Sequence, residues 1–233
     1  MKTVSLVIPC FNEAANLPLL LERCSGLIGQ NGIEVILVDN GSTDDTPAVL
    51  EKLLPGYPGC RSIRVEVNQG YGFGILSGLR AARGEVLGWT HADLQTDPQD
   101  ALKALACFTK PAAPTFAKGR RYGRPLSDSL FTAGMSFFET LLLARPLWDI
   151  NAQPTLFSRS FFETWSKPPH DFSLDLYAYY LARVQGLEVR RFPVRFGRRA
   201  HGVSHWNVNW EAKKKFIRRT LDYSLELRRK LAK

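Results

Sequence analysis

Asp93 and Gln95 stand two residues apart in the stretch Trp89-Thr90-His91-Ala92-Asp93-Leu94-Gln95-Thr96-Asp97-Pro98. A carboxylate and a carboxamide oxygen at that spacing suit a hard divalent cation, Mg2+ or Mn2+, carried by a substrate diphosphate. Such ions are usually held by one or two carboxylates plus phosphate oxygens rather than by a full protein cage. Asp97 has a simpler role, because Asp followed by Pro is a helix-start signal. Asp39 closes a second apolar run, ahead of the turn residues Asn40-Gly41-Ser42, where a helix cap would not stand. Basic residues gather in Lys118 to Arg124 and again in the glycine-containing loop Gly197 to Asn207.

These residues need strand ends to hold them. Val4 to Pro9, Glu34 to Val38, Ile63 to Val67 and Glu85 to Trp89 are short apolar runs that read as strands. Helical spacing follows each: Glu13 to Cys24 closed by Gly26, a helix opened by Asp44 or Asp45 with Pro47, one ending near Gly84, and Asp100 to Phe108. Strand-then-helix units predict an open, mainly parallel α/β sheet with helices on both faces. Ligands of such sheets bind at the carboxyl ends of the strands, where Asp39 and Asp93 fall. Gly70, Gly72 and Gly74 do not make a dinucleotide fingerprint, because Ile75 occupies the place of the third glycine. A tight turn and close helix packing explain them instead.

The second half is less regular. Pro114 to Ala117 reads as a fifth strand, Thr155 to Phe157 as a short one, and Glu188 to Phe196, with Pro193, as an edge strand. Ser127 to Arg145 is a helix whose Leu130, Phe131, Met135, Phe138, Leu141 and Leu142 are expected to pack on the sheet rather than rest on a membrane. Ser173 to Gln185 is another helix, and a last one runs from about Val208 to the end.

The chain has 233 residues and a net charge of +9, with nine Lys/Arg against three Asp/Glu between Glu211 and Lys233. A basic tail of this kind points to an anionic partner. Nucleic acid is not expected, since the tail's only aromatics are Phe216 and Tyr223 and no nucleic-acid motif appears. Cys10, Cys24, Cys60 and Cys107 form no Cys-x-x-Cys pair, which fits a reducing, cytoplasmic setting. No apolar run approaches the length of a membrane span, and no signal-peptide core opens the chain.

Taken in order, Val4-Ser5-Leu6-Val7-Ile8-Pro9-Cys10-Phe11-Asn12-Glu13, Val38-Asp39-Asn40-Gly41-Ser42-Thr43-Asp44, Asn68-Gln69-Gly70-Tyr71-Gly72 and Ala92-Asp93-Leu94-Gln95 resemble the family 2 glycosyltransferases, specifically the polyprenyl-phosphate (dolichyl-phosphate-mannose-synthase-like) branch. The likeness covers most of the chain. It implies a GT-A type fold in one domain over 1–207, with a nucleotide-binding half (1–110) and an acceptor-side half (111–207), then a basic amphipathic helix over 208–233. The implied chemistry is an inverting transfer of a sugar from a UDP- or GDP-linked donor to a polyprenyl (dolichyl or undecaprenyl) phosphate in cell-envelope synthesis. Mg2+ or Mn2+ would sit on Asp93 and Gln95, flanked by His91 and Ala92. Pro9, Phe11, Glu13 and Asp39 would hold base and ribose. Arg121 matches the arginine of a Gly-x-Arg-Tyr element, and Arg199 and His205 fall on an Arg-x-x-Gly-x-Ser-Lys element; these would face the phosphates of donor and acceptor. The C-terminal helix would rest on an anionic membrane, placing the enzyme peripherally on the cytoplasmic face.

Two positions depart from the family pattern: His91 replaces the usual Asp of the metal motif, and His205 replaces a lysine. A neutral imidazole can ligate a cation but cannot offset its charge. Two other readings stay open. A sugar-hydroxyl acceptor would need a general base, for which Asp149 and Asp175 are the candidates. A chain that had lost its metal would be a non-catalytic nucleotide-sugar-binding protein.

Overall fold

Val4 to Ile8 and Val35 to Val38 are buried along their whole length because each strand is covered on both faces. Alternate residues feed two separate cores. Val7, Ile36, Val38, Leu87 and Trp89 point to one side, and Leu6, Ile8, Val35, Leu37 and Val86 to the other.

The computed structural model describes residues 3–28, 32–108, 114–201 and 210–231. Its first half alternates β1 (Val4–Cys10), α1 (Leu17–Ile28), β2 (Ile33–Asn40), α2 (Thr46–Leu53), β3 (Cys60–Val65), α3 (Tyr71–Ala81), β4 (Val86–Trp89) and α4 (Asp100–Leu105). The second half runs β5 (Thr115–Tyr122), α5 (Leu126–Leu143), β6 (Thr155–Ser158), α6 (Arg159–Glu163), α7 (Ser173–Val184), β7 (Glu188–Arg195) and α8 (Trp210–Leu231). The strands form one seven-stranded sheet in the order β3-β2-β1-β4-β6-β5-β7. All neighbours are parallel except β6, which runs antiparallel to both β4 and β5. The reversed strand sits where the two halves meet. Leu17, Leu20 and Leu21 of α1 and Ala101 and Ala104 of α4 cover one face. Ile75, Leu76 and Leu79 of α3 and Leu174 and Ala178 of α7 cover the other.

Several boundaries differ from the sequence reading for physical reasons. β3 begins at Cys60 and ends at Val65, because as an edge strand it is only partly buried and its apolar pattern is weak. α1 starts later and continues through Gly26 to Ile28. β5 extends beyond Ala117 to Tyr122, so the basic residues 118–122 are strand rather than loop. Its Lys118 is fully buried, with its ammonium donating to the Ala152 carbonyl (2.9 Å) and the Thr155 hydroxyl (3.1 Å). β7 is an edge strand as expected, with Pro193 opposite Arg120.

The largest correction concerns α5, most of whose apolar side chains do not pack on the sheet. Leu130 is 64% exposed, Phe137 64% and Leu141 66%, while Phe131 and Phe138 are also exposed. The inward residues are Ser136, Glu139 and Leu143. α8 packs against α5 and buries Ser224 and Leu227. The Ser224–Leu227 side of the helix faces the protein, and Leu225 stays exposed. Among the described residues, no helix is long and apolar enough to cross a membrane.

Candidate functional site

Two turns at the carboxyl edge of the sheet are stitched together. The Asn12 carboxamide oxygen accepts from the Thr43 amide (2.8 Å), and the Ser42 hydroxyl accepts from the Asn12 amide (3.1 Å). The Thr46 hydroxyl accepts from the Glu13 amide (2.9 Å). Asn12 holds φ = 56°, a left-handed conformation that Asn tolerates better than most residues. The turn after β1 is thereby locked to the turn after β2.

A third turn follows β4. Leu94 has φ = 58°, an unfavourable conformation for a branched apolar side chain. It brings the Gln95 amide back onto Asp93 Oδ1 (3.1 Å). The Gln95 carbonyl accepts from the Gly197 amide (2.7 Å), and the Gln95 side chain donates to the Gly197 carbonyl (3.3 Å). That clasp carries the loop after β7 over the third turn and sets Arg199 3.0 Å from Asp93 Oδ2.

These turns open on one cavity of about 970 Å3. Pro9, Phe11, Glu13, His91, Ala92 and Asp93 line it, as do Gln95, Arg121, Asp175 and Arg199. Asp39 and Asp149 are not among the lining side chains, and His205 lies outside the described residues. Asp39 sits just behind, with Oδ1 accepting from the Ser42 amide (3.0 Å) and Oδ2 without a hydrogen-bond partner, 3.9 Å from the Arg64 guanidinium. Asn16 Oδ1 and Asn40 Oδ1, from two cavity-lining residues, are likewise buried and unpartnered. Buried polar atoms left open at one end of a cavity are what a polar ligand would satisfy.

Charge at the site is arranged in pairs. Burial raises the Glu13 carboxyl above its ordinary value, against the hydrogen bond it accepts from Asn16. Burial likewise lowers His91 below the ordinary imidazole value, outweighing Asp93 and Asp175, so the ring is neutral at neutral pH. Burial also opposes the charge on Asp149. The Arg121 guanidinium and its hydrogen bonds nevertheless hold that carboxyl below its ordinary value. Arg121 donates to Asp149 through its backbone amide and Nε (2.9 Å each) and through Nη2. Arg124 and Arg191 stand 3.9 Å from the same carboxylate. Asp175 is backed by Lys118 at 3.7 Å and by the Gln153 amide at 3.4 Å. Burial pushes the Lys118 ammonium down to about 8.

A cation at Asp93 would find a sparse donor set. Among the described residues, no three of His, Cys, Asp and Glu gather to hold a metal ion. One carboxylate, the Gln95 carboxamide and a neutral imidazole at His91 fit a Mg2+ or Mn2+ that brings most of its ligands on a diphosphate.

Some lining residues carried no signal in the sequence. Tyr71 stacks on Phe172 with ring centroids 4.4 Å apart, joining α3 to a loop a hundred residues away. Arg124 was visible only as one of several basic residues. Glu139 stands inside the apolar run of α5, yet it lines the cavity, fully buried, and neither carboxylate oxygen has a hydrogen-bond partner.

The sequence profile of glycosyl transferase family 2 matches residues 5–165, which takes in all three turns. The chain belongs to that family. As a family 2 member it is similar to undecaprenyl-phosphate 4-deoxy-4-formamido-L-arabinose transferases. The similarity is 36% identity over 104 residues with that of Aeromonas hydrophila subsp. hydrophila, covering 43% of this chain and 32% of the relative. With that of Pseudomonas paraeruginosa it is 38% over 101 residues, covering 42% and 30%. The match therefore spans about a third of these relatives. Among solved structures, glucosyl-3-phosphoglycerate synthase from Mycobacterium tuberculosis with Mn2+ and UDP-glucose superposes with a TM-score of 0.71 at 20% identity, covering 97% of this chain and 79% of that one. A mannosyltransferase from Pyrobaculum calidifontis with GDP-mannose and Mn2+ gives 0.62 at 22%, covering 86% and 58%. These likenesses establish the GT-A type fold.

Proposed function

We propose that the chain moves a sugar, with inversion, from a UDP- or GDP-linked donor to a polyprenyl phosphate. The observation that carries this reading is the pairing of charge around one cavity. Asp149 is clamped by Arg121, with Arg124 and Arg191 beside it, which hold it as the carboxylate, and Asp175 is ion-paired with buried Lys118. A phosphate acceptor is already ionised and needs no base. Arg121, Arg124 and Arg199 all line the cavity and supply fixed positive charge for phosphates at both ends of the reaction.

In this mechanism the open oxygens of Asn16, Asp39 and Asn40, with Pro9, Phe11 and Glu13, hold the nucleoside at the β1–β2 end. Asp93 and Gln95 would hold the divalent cation, whose chemistry is to offset charge on the departing nucleoside diphosphate. Arg199 exchanges its contact with Asp93 for donor phosphate. Asp149 does no proton transfer; it fixes Arg121 in a two-point grip so that the guanidinium meets phosphate without rearranging.

One observation favours a second reading. Burial raises the Glu139 carboxyl to about 7, against the nearby Ser224 hydroxyl, and it lines the same cavity. An unpaired carboxyl of that kind suits a general base for a sugar-hydroxyl acceptor. Transfer assays with a polyprenyl phosphate and with a sugar-hydroxyl acceptor separate the two. On the first reading Arg199→Ala lowers kcat/KM for the lipid phosphate about a hundredfold or more, and Glu139→Gln changes it only a few fold. Activity confined to the hydroxyl acceptor, abolished by Glu139→Gln, overturns the first in favour of the second.

A further inference from the structure

α5 is folded inside out. Its inward side carries Asp128, Thr132, Ser136 and Glu139, all of which line the cavity beside Phe131 and Met135, with Ser136, Glu139 and Leu143 buried. Its outward side carries Leu126, Leu130, Phe137, Phe138 and Leu141, all exposed and on the successive turns of one face. Large apolar side chains gathered and exposed on one face mark an interaction site.

A second cavity, of about 520 Å3, adjoins this face. Phe137 and Trp148 line it and are also exposed, which makes it continuous with the apolar stripe. Arg120, Arg183 and Arg191 line it as well, and no acidic side chain does among the described residues. Arg120 is exposed; Arg191 is anchored by the Gly119 carbonyl (2.5 Å) and Arg183 by the Pro146 carbonyl (3.0 Å). Leucines and phenylalanines beside a tryptophan and a set of arginines match a boundary between acyl chains and anionic headgroups. The charge selects the occupant: a second copy of this chain, at +9, would bring further positive charge, whereas an anionic lipid surface complements the arginines.

We propose that the outward face of α5, with the arginine-lined groove beside it, is the surface on which this glycosyltransferase docks to an anionic lipid bilayer. The apolar side chains enter the headgroup–acyl boundary, and Arg120, with Arg183 beside it, meets lipid phosphates. The inward face of the same helix then walls the reaction cavity directly above the membrane. The proposal deepens the reading of a lipid-linked acceptor and rests on it for its purpose, but its test needs no acceptor.

The experiment is co-sedimentation of the full chain with phosphatidylcholine vesicles, with and without phosphatidylglycerol, that contain no polyprenyl phosphate. The parent is expected to bind the phosphatidylglycerol vesicles, less so at high salt. The triple variant Leu130→Ser/Phe137→Ser/Leu141→Ser, which changes only exposed side chains, is expected to lose about tenfold or more of that binding. Arg120→Glu should weaken it several fold and reduce its salt dependence. Arg228→Glu/Arg229→Glu, twice the charge change and on the exposed side of α8, should lower it less than Arg120→Glu. The proposal fails if the triple variant binds as the parent does or if the α8 variant has the dominant effect. It also fails if sedimentation shows a dimer of the parent that the triple variant dissolves. Vesicle binding without transfer to polyprenyl phosphate would leave the docking surface standing and remove the proposed acceptor.

Discussion

Glu139 is the residue most at odds with its surroundings. Burial raises its carboxyl to about 7, so in the folded chain it stays protonated where the unfolded chain has already ionised. The folded state therefore binds the extra proton between the ordinary glutamate value and about 7. Stability falls as pH rises through that window, and the full cost, about 3 kcal/mol, is present above it. Glu139→Gln cannot ionise. Its melting temperature relative to the parent should rise between about pH 5 and about pH 8; a difference that does not change with pH would show that the carboxyl is solvated after all. Asp93 offers a contrasting case. Its carboxylate is matched by Arg199 and by the Gln95 amide, and its type and place after β4 were readable from the sequence. The sequence could not show that the residues proposed as bases were already held. Asp149 meets Arg121 and Asp175 meets Lys118 only after the second half of the sheet has formed.

At the scale of elements, legibility followed burial. β1 and β2 were plain because both of their faces are covered, which turns a strand into a continuous apolar run. β5 was cut short because its buried side chain beyond Ala117 is Lys118, a residue that reads as surface until Thr155 and Ala152 are placed around it. α5 misled in the opposite sense: its apolar stripe was assigned to the core, when the core side is the polar one. The glycines at the start of α3 serve close packing, and the contacts explain why. A Cβ on Gly72 would stand 2.6 Å from the Pro169 carbonyl oxygen and 2.7 Å from that of Asp171, backbone atoms that cannot yield cheaply. Gly72→Ala should force α3 away from the 169–171 loop and cost about 1–3 kcal/mol of stability, measured by denaturant unfolding. The same shift would part Tyr71 from Phe172, so nucleotide binding is expected to weaken with it.

At the scale of the molecule, the cavity is lined by residues from both halves of the chain, so a donor bound as proposed should stabilise the whole fold. Thermal unfolding with UDP, GDP, CDP and dTDP, each with Mg2+ or Mn2+, should show a metal-dependent rise in melting temperature for UDP or GDP. Saturation to a hundredfold over Kd corresponds to about 2.7 kcal/mol. In Asp93→Asn the nucleotide shift should lose its metal dependence; a shift that keeps it would place the cation elsewhere.

The inside-out α5 has a kinetic meaning as well. A catalyst held against a film meets a lipid-borne acceptor in two dimensions, and its rate follows the acceptor's mole fraction in that film, not its amount per volume of solution. Diluting the polyprenyl phosphate with inert lipid, at constant total acceptor and enzyme, should slow transfer. Adding more vesicles of unchanged composition, once all the enzyme is bound, should leave it constant. A chain that captured its acceptor from solution would show neither behaviour.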